Sequence, residues 1–201
     1  MRECHIPIDA HHVVVQLSCV ALRHNDYTYA AHRHLERAHV LALRLYTCAH
    51  KNINSQLRRG FKDGETHLFP ATVLHISEAL AMLRAVASVD KDAQNAKDFW
   101  RCACGVDEAF SEHGGTDTAF MSTTENPYVA LRGCSANKSK TALLLKVRTR
   151  SFIDRGPSIS WLSVFPEEHE QLYPPGTVLL RTGKRDEAVS TCTLRSLTSS
   201  H

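Results

Sequence analysis

Long apolar runs, blocks of one charge and low-complexity tracts are all missing from this 201-residue sequence. The longest purely apolar runs are a few residues, as at Val13-Val14-Val15 and Leu143-Leu144-Leu145. A membrane-spanning helix needs about 20, so no membrane span is expected. No run of five or more Lys or Arg occurs, and no aromatic–basic interleaving. With a formal charge of only +3, no nucleic-acid partner is expected. The N-terminus opens Met-Arg-Glu-Cys-His and breaks its apolar stretch with Asp9, His11 and His12, which reads as a poor secretory signal. Hydrophobic residues make up 43% and charged residues 22%. That balance excludes a largely disordered chain and a coiled-coil or collagen-like rod. The length suffices for one substantial core, and one domain is the favoured count.

Cysteine is present but poorly arranged for staples. There are seven, an odd number at irregular spacing, in a chain large enough not to need disulfides. Reduced thiols are therefore expected, with the cytoplasm as the default compartment. Zinc spacing is also lacking. Cys102-x-Cys104 has one intervening residue where structural sites use two to four. His32-x-His34 lies in a helical stretch, where residues two apart point to different faces. No metal site is expected.

Hydrophobic periodicity divides the chain in two. Residues 1–25 carry no clean period and stay unassigned. From about Asn25 to Cys48, Ala31, Leu35, Ala38, Ala42 and Leu45 recur at helical spacing, with Asn25 and Asp26 as candidate caps. A second short helix is expected over Lys51–Arg59, stopped by Gly60. A third follows from Pro70 to Ser88, with Val73, Ile76, Leu80 and Leu83 in one stripe. After a polar linker over 90–98, short strands are expected at Phe99–Cys102, Ala119–Ser122, Leu143–Arg148, Ile159–Phe165, Val178–Arg181 and Thr191–Leu197. A helical turn is expected between Val106 and Glu112. Helices first and strands second imply an α+β fold. It consists of an N-terminal helical part (26–90) packed on a C-terminal core of short mixed strands (99–198), both within one domain spanning 26–198.

The stretch Phe165-Pro166-Glu167-Glu168-His169-Glu170-Gln171-Leu172-Tyr173-Pro174-Pro175 holds three carboxylates within four positions. In an extended segment, Glu168 and Glu170 face the same side and His169 faces away. Two like charges held together are costly unless a cation joins them. A cationic substrate, or positive charge developing in a transition state, would serve. Upstream, Trp100-Arg101 ends one candidate strand, and an Arg there can fork two phosphate oxygens. Met121-Ser122-Thr123-Thr124 ends another strand in hydroxyls.

Arg, then Ser-Thr-Thr, then Glu-x-Glu, in that order, resembles the arginine-specific mono-ADP-ribosyltransferases. The likeness is strongest to a branch carrying Gly-Gly-Thr-Glu, Met-Ser-Thr-Thr, Arg-Gly-Ala-Asp-Ile-Ser-Phe-Leu-Ser and Pro-x-Glu-x-Glu-x-Leu-Tyr-Pro-Pro. Here these read Gly114-Gly115-Thr116-Asp117, Met121-Ser122-Thr123-Thr124, Arg155-Gly156-Pro157-Ser158-Ile159-Ser160-Trp161-Leu162-Ser163, and Pro166 to Pro175. The match covers about residues 99–183. Upstream, Tyr46-Thr47 and Ile53-Asn54-x-x-Leu57-Arg58 resemble the family's helical part.

The resemblance implies an ADP-ribosyltransferase-like fold and an enzyme moving ADP-ribose from NAD, as cosubstrate, to a protein arginine. Arg101 would hold the NAD phosphates. Ser122 would bond the catalytic carboxylate and line the nicotinamide pocket, with Thr123 as a further cofactor-binding residue. Glu170 would be the catalytic glutamate, facing an oxocarbenium-like centre as nicotinamide leaves. Glu168 would receive the acceptor guanidinium and relieve it of a proton. Arg132, in a variable loop, is a further candidate for binding NAD. The alternatives are an inactive NAD- or protein-binding module and an NAD glycohydrolase. In the glycohydrolase, water replaces the arginine; the inactive module draws on departures from the family pattern: Cys102 where Gly is usual after the strand Arg, Asp117 for Glu, Gly133-Cys134 for an aromatic, and Gly176 for Leu.

Overall fold

A computed structural model describes residues 34–88, 92–104, 110–111, 113–135, 142–182 and 190–194. The unassigned segment 1–25 and the candidate caps Asn25 and Asp26 lie outside the described residues.

Helix α1 spans Arg37–Arg59. It joins the two helices expected over 25–48 and 51–59 across a kink at Ala49, whose φ of −127° and ψ of 23° leave the helical region. Its start is a capping box in which the Glu36 side chain and the His39 ring each take the other's backbone N–H. Gly60, at φ 74°, stops it. Helix α2 spans Pro70–Ala87 with Pro70 in its first turn, where a missing N–H costs nothing. Among the described strands, β1 (Lys97–Cys104), β2 (Phe110–Ser111), β3 (Gly114–Asp117), β5 (Ala142–Thr149), β7 (Thr177–Arg181) and β8 (Ser190–Leu194) form one sheet in the order β1-β5-β8-β7-β3-β2. The β5–β8 pair is parallel and the other pairs are antiparallel. Strands β4 (Met121–Thr123) and β6 (Gln171–Tyr173) form a separate antiparallel pair, with Ser122 opposite Leu172. Helix α3 (Pro127–Ser135) lies between β4 and β5. The fold is α+β, as the pattern implies.

The small β4–β6 pair stands where two cores meet. One core holds Val40, Leu43, Tyr46, Ile53, Ile76, Leu80 and Leu83 from the helices, together with Phe120, Ile159, Leu162 and Leu172. The other holds Phe99, Met121, Leu145, Val147, Tyr173 and Leu179. Neighbouring residues of β6, Leu172 and Tyr173, therefore face different cores, as the two-residue period of a strand requires. On β4, Met121 likewise enters the sheet core and Ser122 takes the other face.

Two expectations are corrected. The turn expected over Val106–Glu112 does not account for Phe110–Ser111, which pairs with β3 at Gly115 and Gly114; residues 105–109 and 112 lie outside the described residues. The strand expected over Ile159–Phe165 is a tight turn. Leu162 N–H and Ser163 N–H both donate to the Ile159 carbonyl, at 3.2 and 3.1 Å. Winding carries Ile159 and Leu162 into the same core, whereas alternation would have set them on opposite faces.

Gly156 shows how closely the segment beside β6 approaches it. A Cβ there would stand 2.6 Å from the Leu172 carbonyl oxygen and 2.9 Å from its carbon. Backbone atoms cannot yield as a flexible side-chain tip does, so Gly156→Ala is expected to cost about 1–3 kcal/mol. That corresponds to a Tm lower by roughly 2–12 °C for a chain of this size. Calorimetry of the variant checks this; an unchanged Tm contradicts the close approach.

Candidate active site

Arg101, on β1, reaches the end of β4 through a two-way backbone bridge. Trp100 N–H donates to Thr124 O at 2.7 Å and Thr124 N–H returns to Trp100 O at 2.9 Å. The Arg101 guanidinium then donates from Nη1 to Ser122 O at 3.0 Å and from Nη2 to Asp117 Oδ2 at 2.8 Å. Its side chain is 14% exposed, and its buried Nε has no hydrogen-bond partner. Burial chiefly pushes this guanidinium's pKa down, and the Asp117 charge opposes that.

Ser122 hydrogen-bonds the carboxyl of Glu170, which is buried. Burial raises the Glu170 carboxyl to about 7 from its ordinary value of 4.5. The Ser122 bond and Arg101 pull down, and Glu168 pushes further up. Arg101, Ser122 and Glu170 thus meet in one place, with Glu168 close enough to repel Glu170.

The route to this arrangement differs from the extended segment expected. Pro166–Glu168 form a turn of 3₁₀ helix, and His169 follows in the left-handed region at φ 48° and ψ 46°. A non-glycine residue there stores roughly 1–3 kcal/mol of strain. The turn is held by its neighbours. Thr124 Oγ1 donates to Glu168 O at 2.6 Å, Ile159 N–H donates to Glu170 O at 3.0 Å, and an Arg44 guanidinium N–H donates to Leu162 O. His169 is left exposed and Glu170 buried. Glu168 is half-buried; burial chiefly raises its pKa, the Glu167 charge adds to that, and the Arg132 charge opposes it. Arg132 itself is exposed on α3.

Thr123, expected among the cofactor-binding residues, is turned away from Ser122 and Glu170. It sits on the face of β4 opposite Ser122, buried at 2% exposure with its hydroxyl against the Tyr173 phenol. Strand alternation sends it into the sheet core.

Helix α1 supplies residues that the sequence reading left without a role. Tyr46, Asn54 and Arg58 recur every four or eight residues and so share one helix face. Asn54 Nδ2 donates to Tyr46 Oη and to Phe120 O, both at 3.1 Å, while its Oδ1 accepts Phe120 N–H at 3.2 Å. That amide fixes the residue entering β4. Arg58 forks Asp117 through Nε and Nη2 at 3.3 and 3.2 Å. Polar residues such as Tyr46 and Asn54 at buried positions of an amphipathic helix are the signal that would have found the first two.

Two other clusters bear on earlier expectations. Cys102 is in a disulfide, which corrects the reduced-thiol expectation for that residue. His39, His75 and Glu78 set three possible ligand atoms within 4.8 Å of one another. However, His39 Nδ1 accepts the Glu36 N–H at 3.1 Å, which puts the ring proton on Nε2, the atom facing Glu78 at 3.3 Å. His75 Nδ1 meets the same Glu78 oxygen at 3.2 Å. His39 and His75 thus share one Glu78 oxygen, and this links α1 to α2.

The chain's fold is that of ADP-ribosyltransferases. It is similar to HopU1 of Pseudomonas syringae pv. Tomato DC3000 at TM-score 0.61 and 16% identity, over 86% of this chain and 83% of that one. It is similar to exoenzyme S of Pseudomonas aeruginosa, solved with human 14-3-3 protein beta and carba-NAD, at 0.57 and 20%, over 89% and 87%. The Vis toxin of Vibrio splendidus, solved with agmatine, gives 0.59 and 14%, over 89% and 87%. No curated protein sequence matches the chain. The NAD:arginine ADP-ribosyltransferase family profile matches residues 17–201, and the chain belongs to that family.

Burying Glu170 has a consequence for stability. The folded chain holds the Glu170 proton up to about pH 7, whereas the unfolded chain releases it near the ordinary value. Burial in the neutral form is therefore fully favourable below about pH 4.5 and loses ground as pH rises through 7. Glu170→Gln removes the charge and keeps the shape. It is expected to stabilise the protein by on the order of 2 kcal/mol at pH 8, raising Tm by roughly 4–8 °C, with little effect at pH 4. Thermal melts at both pH values check it; equal shifts at the two contradict it.

Proposed function

We propose that this protein transfers ADP-ribose from NAD to the guanidinium of a protein arginine and releases nicotinamide. The observation that carries the reading is the convergence of Arg101, Ser122 and Glu170, with Glu168 beside them. The family's name supports it. So do the carba-NAD bound to exoenzyme S and the agmatine, a guanidine, bound to Vis.

The residues suit a dinucleotide. Arg101 has a buried Nε without a partner, and Arg58 beside it is 46% exposed; guanidinium forks match phosphate oxygens. Ser122 orients the Glu170 carboxyl. An ionised Glu170 stabilises positive charge on the ribose carbon as its bond to the nicotinamide nitrogen breaks, in a site where little water screens it. The guanidinium nitrogen of the acceptor forms the new bond to that carbon, and its surplus proton passes to Glu168. The raised pKa of Glu168 makes it a better proton acceptor than an ordinary carboxylate. The nicotinamide ring of NAD is itself cationic, so binding favours the ionised form of Glu170. The cytoplasmic placement drew on reduced thiols and loses that support at Cys102.

Incubation with labelled NAD and agmatine tests the proposal. Label is expected on agmatine, falling about 10²–10³-fold in Glu170→Gln, the scale seen when one transition-state contact is removed. Glu168→Gln is expected to lose transfer while still releasing nicotinamide. Release without transfer by the unaltered protein would mark it a glycohydrolase, and neither signal would mark it non-catalytic. Because kcat/KM follows the free enzyme's ionisation, it is expected to rise with pH through about 7, where Glu170 ionises, and to level off above. A profile flat from pH 5 to 9 contradicts that assignment.

A further inference from the structure

Asp117 belongs to β3, yet its carboxylate lies between two guanidinia from other elements. It is buried, with 6% of its side chain exposed. Oδ2 accepts Arg101 Nη2 from β1 at 2.8 Å and Arg58 Nη2 from α1 at 3.2 Å. Oδ1 accepts Arg58 Nε at 3.3 Å and the Ala119 N–H at 3.1 Å. Its main-chain carbonyl accepts Gly176 N–H at 2.8 Å, which fixes β3 against the turn leading into β7. One negative charge thus holds two positive ones, and the trio is left with a net charge of +1 beside Ser122 and Glu170.

On the reading given under Proposed function, we infer that Asp117 is a positioning residue that holds Arg58 and Arg101 as a preset pair for the pyrophosphate of the dinucleotide. Two guanidinia brought together without an anion repel each other. Arg58, half exposed, would then turn out to water, where its hydration is better. Arg101, almost fully enclosed, would keep only its bond to Ser122 O. A side chain that must be reordered by the ligand binds it more weakly than one already in place. An opposing effect exists: removing Asp117 also removes a competitor for the two cations and strengthens their attraction for phosphate. The two effects predict opposite signs, so affinity decides between them.

ADP-ribose is the probe, because it carries the pyrophosphate and lacks nicotinamide. Calorimetric titration is expected to show Asp117→Asn binding it about tenfold or more weakly than the unaltered protein. Asp117→Glu keeps the charge and is expected to remain within about threefold. In turnover the Asn variant is expected to raise KM for NAD about tenfold and to leave kcat within about threefold, a split that a general loss of folded protein would not give. Should Asp117→Asn fail to fold, Arg58→Gln leaves the Arg101–Asp117 pair intact and is expected to weaken ADP-ribose binding similarly. Unchanged or tighter binding in Asp117→Asn, or unchanged binding in Arg58→Gln, overturns the inference and leaves the transfer reading standing. No ADP-ribose binding by the unaltered protein overturns both.

Discussion

The architecture turns on keeping one carboxyl out of water. Glu170 is buried, and an isolated charge in such a place is among the most costly groups a fold can hold. The structure meets that cost in three ways. The carboxyl is raised toward neutrality, Ser122 gives it a hydrogen bond, and Arg101 sets a positive charge nearby. Arg101 lies on β1, Ser122 on β4 and Glu170 immediately before β6, so the site exists only when these three strands are docked together.

The β4–β6 pair makes that docking possible. Its register sets Ser122 against Leu172 and Thr123 against Gln171. In β6, Leu172 enters the helical core and Tyr173 the sheet core, so that strand cannot slip by one residue without exchanging the two. Helix α1 reaches the same place from the other side. Asn54 pins Phe120 just before β4, and Arg44 and Thr47 hold the turn before Glu170 through Leu162 O and Val164 N–H. The helical half is thus the scaffold of the site as well as a neighbour of it. At His169 a left-handed backbone redirects the chain from the 3₁₀ turn into β6. Strain gathered at a functional turn and held by surrounding contacts is the usual pattern.

Much of this is legible in the sequence. The apolar stripe and the Pro70 start located α2 almost to the residue. Gly60 marked the end of α1, and the ordered Arg, Ser and Glu motifs named the groups that meet at the site. The misses have physical causes. Ile159 to Phe165 alternates in hydropathy, but a turn bonded at the Ile159 carbonyl overrides local period. The nine residues of α3 are too few for periodicity to register, although Asn126 caps it, accepting Tyr128 N–H at 2.9 Å, and Pro127 opens it. Thr123 shares a motif with Ser122, and a motif carries no face; only the strand's alternation separates them. Asp117 read as a departure from the usual Glu, because its meaning depends on Arg58, 59 residues earlier. The parallel β5–β8 pairing likewise depends on long-range contacts that no local pattern encodes.

The central claim is that Glu170 is a buried carboxyl held near neutrality and ready to ionise when a cationic ring arrives. Carboxyl-carbon NMR of ¹³C-labelled glutamate, assigned with Glu170→Gln, measures this directly. The account predicts a midpoint near pH 7 for the free protein and a lower one with NAD bound. A midpoint at the ordinary carboxylate value near 4.5, unmoved by NAD, would contradict it.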